Sequence, residues 1–145
     1  MPSEVLDTFV DLSDWTTVAS GQARIQLSQA DGVGGHALQL DFDFTGGGGF
    51  VVARKPFSIL LPDAYTFCFY VRGVAPRNRL EFKLIDVQGD NVWWFYRDAF
   101  EFPEDWQPVR ISHREIAFAW GPAGGGPIAQ AGAIEFVIAA GTGGK

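Results

Sequence analysis

The chain has 145 residues, enough for one domain with a sizeable core, and its 47% hydrophobic and 19% charged residues exclude a disordered chain. A net charge of −6 without any Lys/Arg cluster excludes a phosphate-neutralising nucleic-acid binder, and no apolar run approaches the ~18 residues of a membrane-crossing helix. A single cysteine, Cys68, rules out an intrachain disulfide and a cysteine-built zinc site.

Helical periodicity is almost absent, while 18 glycines and 8 prolines punctuate short apolar runs, the pattern of an all-β domain. Met1-Pro2-Ser3-Glu4 has neither the charged region nor the apolar core of a secretion signal. Val5 to Val10 reads as a first strand. A turn follows at Asp11-Leu12-Ser13-Asp14, where Asp and Ser side chains can stand in for backbone partners. Trp15 to Ala19 and Arg24 to Ser28 read as short strands about Ser20-Gly21. In the second, Arg24, Gln26 and Ser28 alternate with Ile25 and Leu27, so one face is exposed. Asp31 to Gly35 is a loop. Ala37 to Phe44 alternates cleanly, with Leu38, Leu40, Phe42 and Phe44 against Gln39, Asp41 and Asp43.

Gly46 to Gly49 are four consecutive glycines. A phosphate loop would open a helix, but Phe50-Val51-Val52-Ala53 follow as a strand, so the run reads as a hairpin connection. Lys55-Pro56-Phe57 is expected to end that strand, and Leu61 to Ala64 is a turn. Tyr65 to Arg72 is a long strand. It has Tyr65, Phe67, Phe69 and Val71 on one face and Thr66, Cys68, Tyr70 and Arg72 on the other, with Cys68 expected to be a small buried packing residue. After the loop Gly73 to Asn78, Arg79 to Asp86 alternates again, with Leu80, Phe82 and Leu84 inward and Glu81 and Lys83 outward. The turn Gln88-Gly89-Asp90 makes it the antiparallel neighbour of the next strand.

That next strand, Asn91 to Arg97, holds four consecutive aromatics. Val92, Trp94 and Tyr96 share one face; Trp93, Phe95 and Arg97 share the other. If one face is core, the other carries large aromatic surface outward, which on a soluble domain marks a binding platform; burial on both faces is the alternative. Either Trp94 with Tyr96, or Trp93 with Arg97, lies beside Glu81 and Lys83, and Tyr70 and Arg72 are expected to extend that face. Such a set suits sugar, because the apolar face of a pyranose stacks on a ring while its hydroxyls take charged partners. The alternative for Glu81 and Lys83 is an ordinary solvated pair. Phe100 to Asp105 is then a loop, Trp106 to Ser112 and Ile116 to Trp120 are strands, Gly121 to Pro127 is a long turn, and Ile134 to Ala139 is a last apolar strand. Trp15 and Trp106 read as packing residues at strand ends.

A glycosidase needs two carboxylates across a cleft. Glu101, Glu104 and Asp105 fall in a surface turn and Asp41 and Asp43 share a polar strand face, so no isolated pair stands out. His36 and His113 are the only histidines, and neither a Gly-x-Ser-x-Gly nor a His-Glu-x-x-His pattern occurs. Asp7, Asp11, Asp31, Asp41 and Asp43 could give oxygens to a structural calcium, but their spacing matches no calcium loop, and no cofactor is predicted.

In order, the chain presents Phe9-Val10-Asp11-Leu12-Ser13-Asp14-Trp15, Ala37 to Phe44, Asn91 to Arg97, Phe102-Pro103-Glu104-Asp105-Trp106, Ala119-Trp120-Gly121-Pro122 and Ile134-Glu135-Phe136-Val137-Ile138. In that order it resembles a carbohydrate-binding module of the galactose-binding-like jelly-roll type, as found N-terminal in large secreted bacterial glycoside-hydrolase-like proteins. The likeness covers essentially the whole chain and rests on the order of segments, not on one motif. It implies non-catalytic sugar recognition on a concave sheet face, delivery of an attached enzyme to its polysaccharide by raised effective concentration, and an extracellular or periplasmic setting. Such modules end on a further strand bearing an acidic residue. This chain stops at Lys145, so the resemblance implies an incomplete calcium site, an open sheet edge and a domain cut from a longer protein.

The sequence therefore predicts one domain over 1–145, an all-β antiparallel sandwich (jelly roll, galactose-binding-like) of about ten strands with no major helix. It is expected to bind polysaccharide or oligosaccharide, no nucleic acid and no membrane, and to catalyse nothing. The ligand-binding candidates are Trp94, Tyr96, Glu81, Lys83 and Arg97, with Trp93 as the alternative to Trp94, and then Tyr70, Arg72, Arg54 and Trp120. Two other readings stand beside this one. The aromatic face could pack against a parent catalytic domain, or the chain could be a small glycosidase, which a carboxylate pair ~5–9 Å apart in a cleft would mark.

Overall fold

Period-two alternation of apolar and polar residues gives ten strands among residues 3–145, the part that the computed structural model describes; Met1 and Pro2 of the N-terminal tetrapeptide lie outside it. They are β1 (Thr16–Ala19), β2 (Arg24–Asp31), β3 (His36–Asp43), β4 (Phe50–Leu60), β5 (Thr66–Val71), β6 (Asn78–Asp86), β7 (Val92–Phe100), β8 (Gln107–Ser112), β9 (Ala117–Trp120) and β10 (Gln130–Ala139). The one helical turn among the described residues is the 3-10 segment His113–Glu115, closed by a capping box in which Ser112 and Glu115 satisfy each other's backbone N–H groups.

Six strands form an antiparallel sheet in the order β1-β4-β10-β6-β7-β9, while β2–β3 and β5–β8 pair as separate ribbons. Both ribbons pack on the same face of the large sheet. Ile25 and Phe42, with Ala23 and Phe44, meet Val51, Leu80 and Ile138. Phe67, Phe69, Val109 and Ile111 meet Phe82, Leu84, Trp93 and Ile134. Phe82 is the centre of this second cluster, with ring centroids 5.0 Å from Phe67 and 5.6 Å from Phe136; each such ring contributes about 2–3 kcal/mol by leaving water. The expected all-β sandwich is what the chain forms. Its outer layer covers one side of the six-stranded sheet and leaves the other side open.

Several boundaries differ from expectation for identifiable reasons. Val5 to Val10 is not a strand. The Asp7 carboxylate accepts the backbone N–H of Phe9 at 2.7 Å, Phe9 takes a left-handed φ of 59°, and the segment becomes a plug. It is tied down by Gln29, which donates to the carbonyls of Phe9 and Val10, and by Trp15, whose ring packs between Phe9 and Phe136. β4 runs straight through Pro56 to Leu60. A bulge in β10 between Ala131 and Ala133 lies opposite, the setting in which a strand tolerates a residue without an N–H. Cys68 is exposed, not buried, because Phe67, Phe69 and Val71 are the inward side of β5. The last strand, β10, is central, paired with β4 on one side and β6 on the other; the edge strands of the six-stranded sheet are β1 and β9.

Candidate functional site

Strand register lays the side chains of the open face in rows across the sheet. From β1 to β9 one row reads Thr16, Arg54, Glu135, Lys83, Trp94 and Ala117; the next reads Val18, Val52, Val137, Glu81 and Tyr96. Trp120 stands opposite Val92 at the end of β9. Three rings therefore meet on β7 and β9: Trp94 lies 4.9 Å from Tyr96 and 5.6 Å, edge-on, from Trp120. Tyr96 and Trp120 are 43% and 48% exposed, so each shows nearly half of itself to solvent.

Charges interleave with the rings. Glu81 is only 6% exposed, with Arg79 Nε and Lys83 Nζ each 3.2 Å from one of its oxygens. A buried carboxylate is stable here because two cations compensate its lost hydration. The same cations reach the rings. The Arg79 guanidinium carbon is 3.7 Å from the Tyr96 centroid and 4.9 Å from that of Trp94, and Lys83 Nζ is 4.8 Å from that of Trp120. Farther along, Arg54 binds Glu135 at 2.9 Å. Beneath lies an apolar floor of Ile85, Val92 and Ala133, continued by Val137 and Val52. Glu81 and Lys83 are thus not an ordinary solvated pair; they are the buried base of the ring row.

The structure brings six of the predicted residues to this face: Trp94, Tyr96, Trp120, Glu81, Lys83 and Arg54. Four lie elsewhere. Trp93 is 5% exposed in the core, where its Nε1 donates to the Gly126 carbonyl at 2.8 Å and its ring meets Phe118 edge-on. Arg97 pairs with Leu80 on the opposite face of the sheet and lies over Phe95. Tyr70 lies on β5 of the β5–β8 ribbon and Arg72 just past its end, where it covers Trp106, so they do not extend the ring row. Two members of the face were not singled out from sequence. Arg79 sits two residues before Glu81 on the same side of β6, and Glu135 is the one charge inside the apolar run of β10; either pattern could have flagged them.

Trp120 is held by its C-terminal neighbour. Gly121 has φ +134°, and a Cβ there would run into the Asn91 side chain and the Asp90 backbone. Asn91 is buried; its Nδ2 donates to Asp86 and its Oδ1 accepts from Ala123 N–H at 2.7 Å, tying the β6–β7 turn to the glycine-rich loop. Gly121→Ala is accordingly expected to cost about 2 kcal/mol of stability and to alter the near-UV circular dichroism of the Trp94–Trp120 pair. An unchanged melting temperature and spectrum would show that the loop adapts.

Three of the acidic residues that could have bound calcium, Asp7, Asp11 and Asp43, are already engaged. The Asp7 carboxylate holds Lys55 Nζ at 2.8 Å and Trp15 Nε1 at 2.9 Å, so an ammonium occupies the place a metal would need. Asp11 and Asp43 cap Ser13 and Thr45. Among the described residues no three His, Cys, Asp or Glu side chains are grouped as metal ligands. Two depressions, of about 270 Å³ by Asp41, Asp43 and Val74 and about 360 Å³ by Pro56, Val87 and Gly132, are lined by none of the ring-row residues.

No protein family matches the chain, and no curated protein matches it. Its backbone is similar to solved structures. One is the family 11 carbohydrate-binding module of the cellulosomal cellulase Lic26A-Cel5E of Clostridium thermocellum, with TM-score 0.71 and 17% identity over 97% of this chain and 87% of that one. Another is the family 11 module from the same organism in complex with a β-1,3-1,4-mixed-linked tetrasaccharide, with TM-score 0.70 and 17% identity over 96% and 87%. A third is the enzymatically active domain of tailspike protein 4 of bacteriophage CBA120, with TM-score 0.59 and 14% identity over 94% of this chain and 19% of that one. The likeness identifies the sandwich as a jelly roll, the fold expected from sequence.

Proposed function

We propose that the chain is a non-catalytic carbohydrate-binding module that holds a polysaccharide or oligosaccharide against the Trp120–Trp94–Tyr96 row. The observation that carries this is the pair of half-exposed rings, Tyr96 and Trp120, on either side of Trp94 and set among paired charges. Sugar rings stack on such surfaces while Lys, Arg and Glu take their hydroxyls. The jelly-roll likeness to two family 11 modules supports it. On this reading 1–145 is one targeting domain of a longer, exported chain, and it brings an attached enzyme to its substrate. The absence of catalysis is supported by the carboxylates of the face: Glu81 is held by Arg79 and Lys83, and Glu135 by Arg54, so neither is a free acid–base pair across a cleft.

The test is a tryptophan-fluorescence titration against a glycan panel that begins with β-1,3-1,4-linked oligosaccharides. Saturable binding is expected, weakened about tenfold or more by Trp94→Ala or Tyr96→Ala and unchanged by Tyr70→Ala. Binding that survives both ring removals would sink the proposed site, and silence across the panel would sink the reading. A second reading has one observation in its favour: in the tailspike domain a fold of this kind is a fifth or less of a larger chain. There the ring row would be an internal interface against a neighbouring domain, and the silent panel is its expected result.

A further inference from the structure

We propose that Arg79 is the ligand-contacting donor that sets specificity on this face, offering its terminal amino groups to two adjacent hydroxyls of a neutral sugar seated on the ring row. The inference rests on the carbohydrate-binding reading above and narrows it. Its first support is position. The guanidinium carbon lies 3.7 Å from the Tyr96 centroid and 4.9 Å from that of Trp94, inside the row itself. Stacked this way, the guanidinium is held flat and loses little freedom when it forms further hydrogen bonds.

The second support is how Arg79 is anchored. Both of its ion pairs run through Nε, to Glu81 at 3.2 Å and Asp98 at 3.8 Å. Nε is buried and makes no directed hydrogen bond, so the contact with Glu81 is a charge contact at the root of the fork. The two terminal amino groups are left for a ligand, while the side chain keeps 29% of its surface exposed. A planar fork of donors matches two oxygens side by side, as on neighbouring sugar carbons.

The third support is charge. A guanidinium fork also fits a carboxylate, so an acidic sugar is the competing ligand of the same geometry. Here the charges of the face are already matched. Arg54 is spent on Glu135, and Arg79 and Lys83 share Glu81 with Asp98 nearby. The chain as a whole carries −6. An acidic polymer meets no unbalanced positive charge and is repelled at long range, whereas a neutral sugar loses nothing.

The experiment uses the whole chain and two probes, a soluble neutral β-1,3-1,4-linked polysaccharide and the same polymer carboxymethylated. Arg79→Lys keeps the charge and the contact with the rings but lacks the fork. It is expected to bind the neutral polymer about tenfold more weakly, with an unchanged near-UV spectrum. Arg79→Gln, which lacks both the fork and the charge that compensates Glu81, is expected to bind at least as weakly as the Lys variant; if the Lys variant does not fold, the native chain on the two polymers still tests the neutral-sugar assignment. The native chain is expected to bind the carboxymethylated polymer no more tightly than the neutral one. Native affinity in Arg79→Lys would overturn the proposal. So would a loss that comes only with a changed aromatic spectrum, since Arg79 would then act through the rings. Tighter binding of the carboxymethylated polymer would overturn the neutral-sugar assignment. A native chain that binds neither probe nor any member of the glycan panel would overturn the carbohydrate reading itself, a result distinct from the others.

Discussion

Asn78→Ala is expected to destabilise the fold by about 4 kcal/mol, more than any surface change on the ring row. Asn78 is 0% exposed at the start of β6. Its Oδ1 accepts the N–H groups of Gly141 at 2.8 Å and Gly143 at 2.9 Å, and its Nδ2 donates to the carbonyls of Gly143 and Pro76. One side chain thus satisfies a segment rich in glycine that has no apolar side chain of its own to bury. With Ala, two part-buried N–H donors and two carbonyls lose their partner together, each at roughly 1–3 kcal/mol if water cannot replace it. The tail keeps the bonds Thr142 N–H to Arg77 and Phe44 N–H to the Gly144 carbonyl, which limits the loss. Asn78→Asp separates the causes. It preserves both accepted bonds but turns a carboxylate oxygen toward two carbonyls, so it is expected to be at least as damaging as Ala. Urea denaturation with an unchanged slope and a lowered midpoint would measure the effect; an Ala variant within about 1 kcal/mol of native would mean that water fills the site. Because Arg79 follows directly in β6, loss of this anchor is also expected to loosen the ring row.

What the sequence made legible was whatever depends on neighbours along the chain. The alternation in Ala37 to Phe44 and in Arg79 to Asp86 assigned two strands and their faces correctly, and Gly89, with φ +84°, marks the turn that sets β6 against β7. Once Leu80, Phe82 and Leu84 face the core, that register places Trp94 beside Lys83 and Tyr96 beside Glu81. The rest depends on pairing between distant segments. Glu135 joins the face because β10 inserts between β4 and β6, and nothing local in Ile134 to Ala139 says so. Tyr70 and Arg72 have the right chemistry, but Tyr70 sits on a ribbon of the other layer and Arg72 just past the end of its strand, which residue type cannot reveal. Val5 to Val10 looked like a strand because its composition is apolar; the competing signal was Asp7, whose side chain bends the backbone locally and then serves Lys55, 48 residues away.

Asp7 also makes stability depend on pH. Burial pushes its carboxyl up, but the hydrogen bonds from Lys55, the Phe9 backbone and Trp15, together with the Lys55 charge, outweigh burial and hold it below the usual carboxylate value. A group lowered in the folded state contributes stability that is complete above its unfolded pKa and is lost as pH falls through its folded pKa. Asp7→Asn is therefore expected to cost about 2–3 kcal/mol at pH 7, because Lys55 Nζ and Trp15 Nε1 would face an amide with a single acceptor oxygen. That difference from the native chain should narrow as pH falls below the ordinary carboxylate range, where the native Asp7 is protonated too. Part of the native acid sensitivity should survive in the variant, since Asp86 is also lowered: burial raises it, and the side chain and backbone of Asn91 with the backbone of Gly89 and Asp90 more than offset this. The measurement is a series of urea midpoints for both proteins from pH 7 down to about pH 2, so that it passes through the window below the usual carboxylate value. Parallel curves, with the deficit constant at every pH, would mean that Asp7 contributes through packing and not through its charge. Converging curves would identify the Asp7–Lys55 contact, 2.8 Å long between the plug and β4, as a bond that acid opens.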